Sequence, residues 1–201
     1  MKISIICLLL LALVNASIYD KYYQEAYTIA VSMSLDQKIG QTIQLDFYGL
    51  VNKNGTTDAD AIKYSLGSLL VGGNGCPDAN GNLINFDNLK EDQIKALYAN
   101  CTLDKWQAMG AKFNYTINIT ANNGKTYKIK PLLATDAVHG DQHVLGNVLF
   151  PHNIGLSCSH NAKHFFNMGQ WTAKSIKRYG FNYAFAPTVA VSHNPQWGRF
   201  Y

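Results

Sequence analysis

Leu132-Leu133-Ala134-Thr135-Asp136-Ala137-Val138-His139-Gly140-Asp141-Gln142-His143 decides how this chain is read. Leu132 to Thr135 carries no charge and has the character of a short buried strand, and Asp136 stands where that strand ends. An ionised carboxylate in that place must be paired or bound, because its desolvation is otherwise costly. A helix N-cap or an internal salt bridge is the bland alternative.

The same pattern recurs on both sides. Upstream, Gly67-Ser68-Leu69-Leu70-Val71 is a second apolar strand that stops at Gly72-Gly73-Asn74-Gly75, where glycine lets the backbone turn sharply. Downstream, Asn153 to Ser157 is expected as a third strand. A helix follows, with Ala162, Phe165, Phe166, Gly169, Ala173 and Ile176 on one stripe and Gly180 at its C-cap. Phe181 to Ala186 is expected as a fourth strand, ended by Pro187. Near the start, a Tyr-rich amphipathic stretch (Tyr19 to Ala30) precedes the capping box Ser34-Leu35-Asp36-Gln37. That box opens a helix with Leu35, Ile39 and Ile43 on one stripe. A polar loop then leads to a helix from Leu103 to Phe113, which Thr102 can cap. Strands alternating with helices predict an α/β fold with parallel strands and helical crossovers. Asn114 to Lys130 alternates apolar and polar residues about a turn at Asn122-Asn123-Gly124, which predicts an inserted β-hairpin, an exposed excursion from the main fold.

The chain has 201 residues, 47% hydrophobic and 15% charged, enough for a sizeable core. Met1-Lys2 followed by the apolar run Ile3 to Val14 and by Asn15-Ala16 reads as a secretory signal peptide over residues 1–16, too short to span a bilayer. Residues 17–201 would then form the mature domain, with no membrane attachment after cleavage. Asn54, Asn100, Asn114 and Asn118 each open an N-glycosylation sequon. Beyond Cys7, the cysteines are Cys76, Cys101 and Cys158, so at most one internal disulfide forms. Cys76 with Cys101 is the pair to test, against three buried thiols. Net charge is +4, with 17 Lys and Arg against 13 Asp and Glu, which is no nucleic-acid footprint. All thirteen acidic residues fall at or before Asp141.

Three chemistries compete for the loop after Asp136. His139 and His143 with Asp136 or Asp141 offer metal ligands for a metal-dependent hydrolase, though Gly140 and the strand exit disfavour helical i, i+4 pairing. Asp136 and Asp141 could be the two carboxylates of a glycosidase, an unusual arrangement on one loop. Or Asp136 accepts hydrogen bonds from sugar hydroxyls while the catalytic groups lie elsewhere. The residues alone leave these open.

Five blocks in order break the tie. Gly67 to Gly75, Asp136-Ala137-Val138-His139-Gly140, Phe150 to Leu156, Phe185-Ala186-Pro187 and Trp197-Gly198-Arg199 resemble the N-terminal barrel of family 3 glycoside hydrolases, in its β-glucosidase and exo-β-glucanase branch. The helix opening at Ser34 is similar to the family's usual start. The resemblance implies a (β/α)₈ TIM-type barrel, of which 201 residues are roughly the first half, since a complete barrel takes roughly 250. It implies release of terminal β-D-glucose from β-glucosides or β-glucans, without cofactor or metal; the signal peptide makes the expected protein secreted or lysosomal/vacuolar. It assigns Asp136 and Arg199 to the sugar, a carboxylate accepting from hydroxyls and a guanidinium donating in a planar fork.

Two departures and one decoy qualify it. Asn194-Pro195-Gln196 stands where the family usually reads Asp-Pro-Arg, which removes two charges and implies a more weakly anchored loop. Asp141-Gln142 replaces the common His-Asn. Lys163-His164 mimics a sugar-binding pair of the family but lies on the wrong element. The nucleophile and acid/base of a retaining glycosidase are expected beyond Tyr201, so the resemblance implies a chain inactive alone or a non-catalytic sugar-binding pseudoenzyme fragment.

Overall fold

The computed structural model describes residues 20, 22–47, 58–71, 75–87, 89–189, 191 and 193–199. Residues 1–16 and Asn54 therefore lie outside the described residues, as does the Gly72-Gly73-Asn74 turn.

In chain order the elements are α1 (22–32), α2 (Leu35–Gln41), β1 (Gln44–Asp46), α3 (Asp58–Lys63), β2 (Ser68–Leu70), β3 (Gly75–Pro77) and β4 (Leu83–Asn85). Then come α4 (Glu91–Tyr98), α5 (Leu103–Lys112), β5 (Ile117–Thr120), β6 (Thr126–Ile129), β7 (Leu132–Thr135), α6 (Asn153–Ser157), α7 (Ala162–Lys177) and β8 (Tyr183–Ala184). A four-stranded sheet of order β1-β2-β7-β8 organises them, and every pairing within it is parallel. Leu70 pairs with Ala134 and Ala134 with Tyr183. Asn182 extends the last pairing with its side chain, accepting from the Leu133 amide at 2.8 Å and donating to the Pro131 carbonyl at 3.2 Å. The α/β class with a parallel sheet agrees with the expectation.

Local signals explain much of this. Ser34 Oγ accepts from the Gln37 amide at 3.2 Å while Gln37 Oε1 accepts from the Ser34 amide at 2.9 Å, so the capping box forms reciprocally. In α5, Trp106, Met109 and Gly110 recur at i, i+3 and i+4 and are buried. The main core joins Trp106 and Met109 to Leu69, Leu133, Tyr179 and Phe181. A smaller cluster surrounds Cys76 and Cys101, which are disulfide-bonded, while Cys158 is free and exposed.

Several expectations are corrected. Asn153 to Ser157 is a helix, not a third strand. Two apolar side chains at Ile154 and Leu156 within five residues do not by themselves distinguish the two, and these residues take no part in the sheet. The polar loop before α5 contains the β3–β4 hairpin and α4. Thr102 stands at the N-cap of α5 but its hydroxyl does not cap; it engages Asp104 instead. The β5–β6 hairpin forms in the expected place but is no excursion: Ile117 and Ile119 belong to the main core while Asn118 and Thr120 face out. In α7 the buried residues are Met168, Thr172 and Ile176, and Phe166 is 65% exposed. The expected stripe on α2 is also open to solvent, Leu35 most of all. Gly180 lies two residues past the Arg178 C-cap, at φ +91°. No described helix is long and apolar enough to cross a membrane.

Candidate functional site

β7 carries the chain to Asp136, which is half-buried at the carboxyl end of the parallel sheet. In α/β folds polar groups gather at that end, where loops leave the strands. The loop that follows folds back on itself. Gly140 bridges to Leu149, and its φ of +105°, with the Val148 carbonyl 2.5 Å from where a Cβ would stand, admits only glycine. The Phe150 amide donates to the His139 carbonyl at 2.8 Å, and His139 Nδ1 lies 2.8 Å from the Phe150 carbonyl. A carbonyl only accepts, so Nδ1 carries a proton and donates.

A cleft of about 800 Å³ opens above this loop. Asp136, His139 and Gln142 line one side; Trp197 and Arg199 arrive from the far end of the chain. His152 also lines it and lies against His139, the ring centroids 4.0 Å apart. Four of the five sequence blocks thus meet around one space, and the fifth supplies β2 beside β7. The cleft offers a carboxylate acceptor, a guanidinium donor fork, imidazole and amide groups, and a half-exposed indole face, which together can hold a polyhydroxylated ring. A larger groove of about 1050 Å³ runs beside α7 and β8, but its walls, including Phe165, Met168, Ala173 and Val189, are mainly apolar.

The residues of the competing metal chemistry are split. His139 faces the cleft, whereas Asp141 and His143 are buried beneath it, with the His143 ring against Trp106. Among the described residues no three His, Cys, Asp or Glu side chains gather to hold a metal ion. Asp141 is likewise turned away from Asp136, so the two do not flank a common bond from the cleft side. Asn194 retains the turn that its replacement of aspartate put in doubt: its Oδ1 accepts from the Gln196 amide at 2.9 Å, for which an amide oxygen suffices. Lys163 and His164 are exposed on α7, outside the cleft.

What the sequence reading missed is His152 against His139 and the inward position of Asp141. The Phe150-Pro151-His152 block was the available signal for the first. The sequons Asn100, Asn114 and Asn118 are exposed. Asn114 Oδ1 accepts from Lys130 Nζ at 2.8 Å, and Asn100 Nδ2 donates to the Ala96 carbonyl at 2.9 Å.

Comparison with known proteins bears on the family. The chain is 29% identical over 170 residues to the lysosomal beta glucosidase of Dictyostelium discoideum, covering 84% of this chain and 19% of that protein. It is 38% identical over 72 residues to the periplasmic beta-glucosidase of Salmonella typhimurium, covering 36% and 9%. The crystal structure of an exo-1,3/1,4-beta-glucanase from a Pseudoalteromonas species superposes with a TM-score of 0.55 at 32% identity, over 83% of this chain and 18% of that one. The chain thus spans about a fifth or less of these relatives. The family pattern described as the glycosyl hydrolase family 3 N terminal domain matches residues 34–201, and the chain belongs to that family.

Proposed function

We propose that this chain carries part of the glucose-binding site of an exo-acting β-glucosidase or β-glucanase. The observation that carries the reading is the cleft in which Asp136, at the end of β7, and Arg199, from the Trp197-Gly198-Arg199 block, face one space. Asp136 accepts hydrogen bonds from hydroxyls of the terminal ring, Arg199 donates to them, and Trp197 gives an apolar face for a pyranose.

The four parallel strands form the first arc of a (β/α)₈ barrel, to which residues 17–201 contribute the N-terminal part. A retaining hydrolysis needs a carboxylate nucleophile and an acid/base about 5 Å apart across the bond. Among the described residues that line the cleft only Asp136 is acidic, so the cleft by itself does not supply that pair. The 201 residues bind sugar without turning it over. A non-catalytic sugar-binding role is favoured by the same lone carboxylate.

Residues 1–16 direct export, and the destination is secreted or lysosomal, as the names of the relatives suggest. Glycans attach at Asn100, Asn114 and Asn118, which are exposed, and at Asn54. The substrate is a β-glucoside or β-glucan oligosaccharide; nucleic acid is no partner.

Calorimetric titration with glucose and cellobiose tests the reading. Binding that Asp136→Ala abolishes, with no hydrolysis of an aryl β-glucoside, is expected. Glucose heats unchanged by Asp136→Ala would place the site elsewhere.

A further inference from the structure

Directly under the cleft lies a buried carboxylate that the sugar contacts do not use. Asp141 is 1% exposed. Its Oδ1 accepts from the His143 amide at 3.1 Å and its Oδ2 from Asn147 Nδ2 at 2.6 Å. His143 is 6% exposed, and its Nδ1 stands 3.4 Å from both Asp141 Oδ1 and the Oγ1 of Thr135, the last residue of β7 before Asp136. The Trp106 ring of α5 meets that imidazole edge-on. The Tyr179 phenol, just past α7, faces the Asp141 carboxylate, though no contact between them has ordinary hydrogen-bond geometry. The carboxylate therefore touches or faces the loop and the segment after α7, and through His143 it reaches β7.

A buried carboxylate is tolerated only where it is well partnered, and loss of a buried partner costs more than the bond itself is worth. Here the chain alternates. Asp141 and His143 are buried, while Gln142 between them is exposed and lines the cleft. Two inward anchors fix the backbone on either side of Gln142, and the His139–Phe150 contacts fix the loop at its base. We infer that Asp141 is the positioning residue of the cleft: pulled inward by His143 and Asn147, it holds the 136–150 loop so that Asp136, His139 and Gln142 present their polar atoms to a sugar. This rests on the glucose reading above.

The test uses the whole chain and two signals, glucose titration by amide NMR and the ¹⁵N shift of His139 Nδ1, which reports whether the ring still donates to Phe150. Asp141→Ala removes both acceptor oxygens, leaving the His143 amide and Asn147 Nδ2 without the partner they have in the wild type. It is expected to weaken glucose binding about tenfold and to shift the His139 signal toward exchange between tautomers, with far-UV circular dichroism unchanged. Asn147→Ala, a milder change, is expected to give a smaller loss in the same direction. The reciprocal pair Asp141→Asn with Asn147→Asp restores a donor opposite an acceptor and should recover affinity to within about threefold. If wild type binds glucose and Asp141→Ala binds equally well, or the reciprocal pair fails to recover what Asn147→Ala retains, the role of Asp141 is overturned while the glucose reading stands. A wild-type chain indifferent to glucose overturns both, whatever the imidazole does.

Discussion

Gly110 of α5 packs so tightly on the Tyr179 carbonyl that a Cβ at position 110 would stand 1.9 Å from that oxygen. Both contact atoms are backbone, so neither can swing aside. Gly110→Ala is therefore expected to destabilise the chain by about 3 kcal/mol in urea unfolding, the upper part of the overpacking range. A loss under about 0.5 kcal/mol would contradict this packing of α5 against the end of α7.

Two aromatic residues should behave in opposite ways. Trp106 is buried, with Tyr179 5.6 Å and His143 5.4 Å from its ring, and Trp106→Ala is expected to cost about 4 kcal/mol. Phe166 is largely exposed on α7, and Phe166→Ser should stay within about 0.5 kcal/mol. Thermal melts of the two variants separate the cases; equal losses would mean that the solvent face of α7 is covered in solution.

Arg199 and lysine are not equivalent in the proposed site. Arg199→Ala is expected to weaken glucose binding about tenfold, and Arg199→Lys to restore only a minor part, since an ammonium cannot reproduce a planar fork to two hydroxyls. Full recovery by lysine, measured by calorimetry, would reduce the role of Arg199 to its charge.

Asp78 gives a pH dependence with a definite sign. Burial pushes its carboxyl up, but the Asn82 backbone and side-chain amides, the Asn80 amide and the Lys112 ammonium outweigh burial, so the pKa falls below 3.8. Its Oδ1 accepts from the Asn80 and Asn82 amides, both at 2.8 Å, closing the turn between β3 and β4. A carboxyl whose folded pKa is lowered contributes stability above its unfolded pKa and loses it as pH falls through the folded value. Asp78→Ala should therefore cost about 1 kcal/mol at neutral pH, with the gap to wild type shrinking below about pH 4. A gap that widens on acidification would reverse the assignment.

Sequence reading succeeds where a signal is local and fails where burial is decided from a distance. The Ser34–Gln37 capping box, the β7 strand with Asp136 at its end and the turn at Gly124 each depend on residues within a few positions, and each is found. Asn153 to Ser157 misleads because helix and short strand share one apolar pattern at that length. Ile117 and Ile119 show a correct alternation, but nothing nearby in sequence tells that their apolar face packs on the main core. Asp141 reads as a ligand in sequence because it stands among histidines. Its burial is set by the Trp106 and Tyr179 segments, each more than thirty residues away. Asp136 and Arg199 come together in sequence only through family resemblance, since no periodicity links positions so far apart.

β7 gives the molecule two unlike poles. Its four residues span roughly 13 Å. One end opens on the cleft through Asp136; at the other, Lys130 Nζ binds Asn114 and the chain enters from the β5–β6 hairpin, where Asn118 faces out. Whatever is tethered at Asn114 or Asn118, whether a sugar tree, a dye or a solid support, hangs from the pole opposite the cleft. The hairpin is thus the natural handle by which this domain can be immobilised with its sugar-facing side outward.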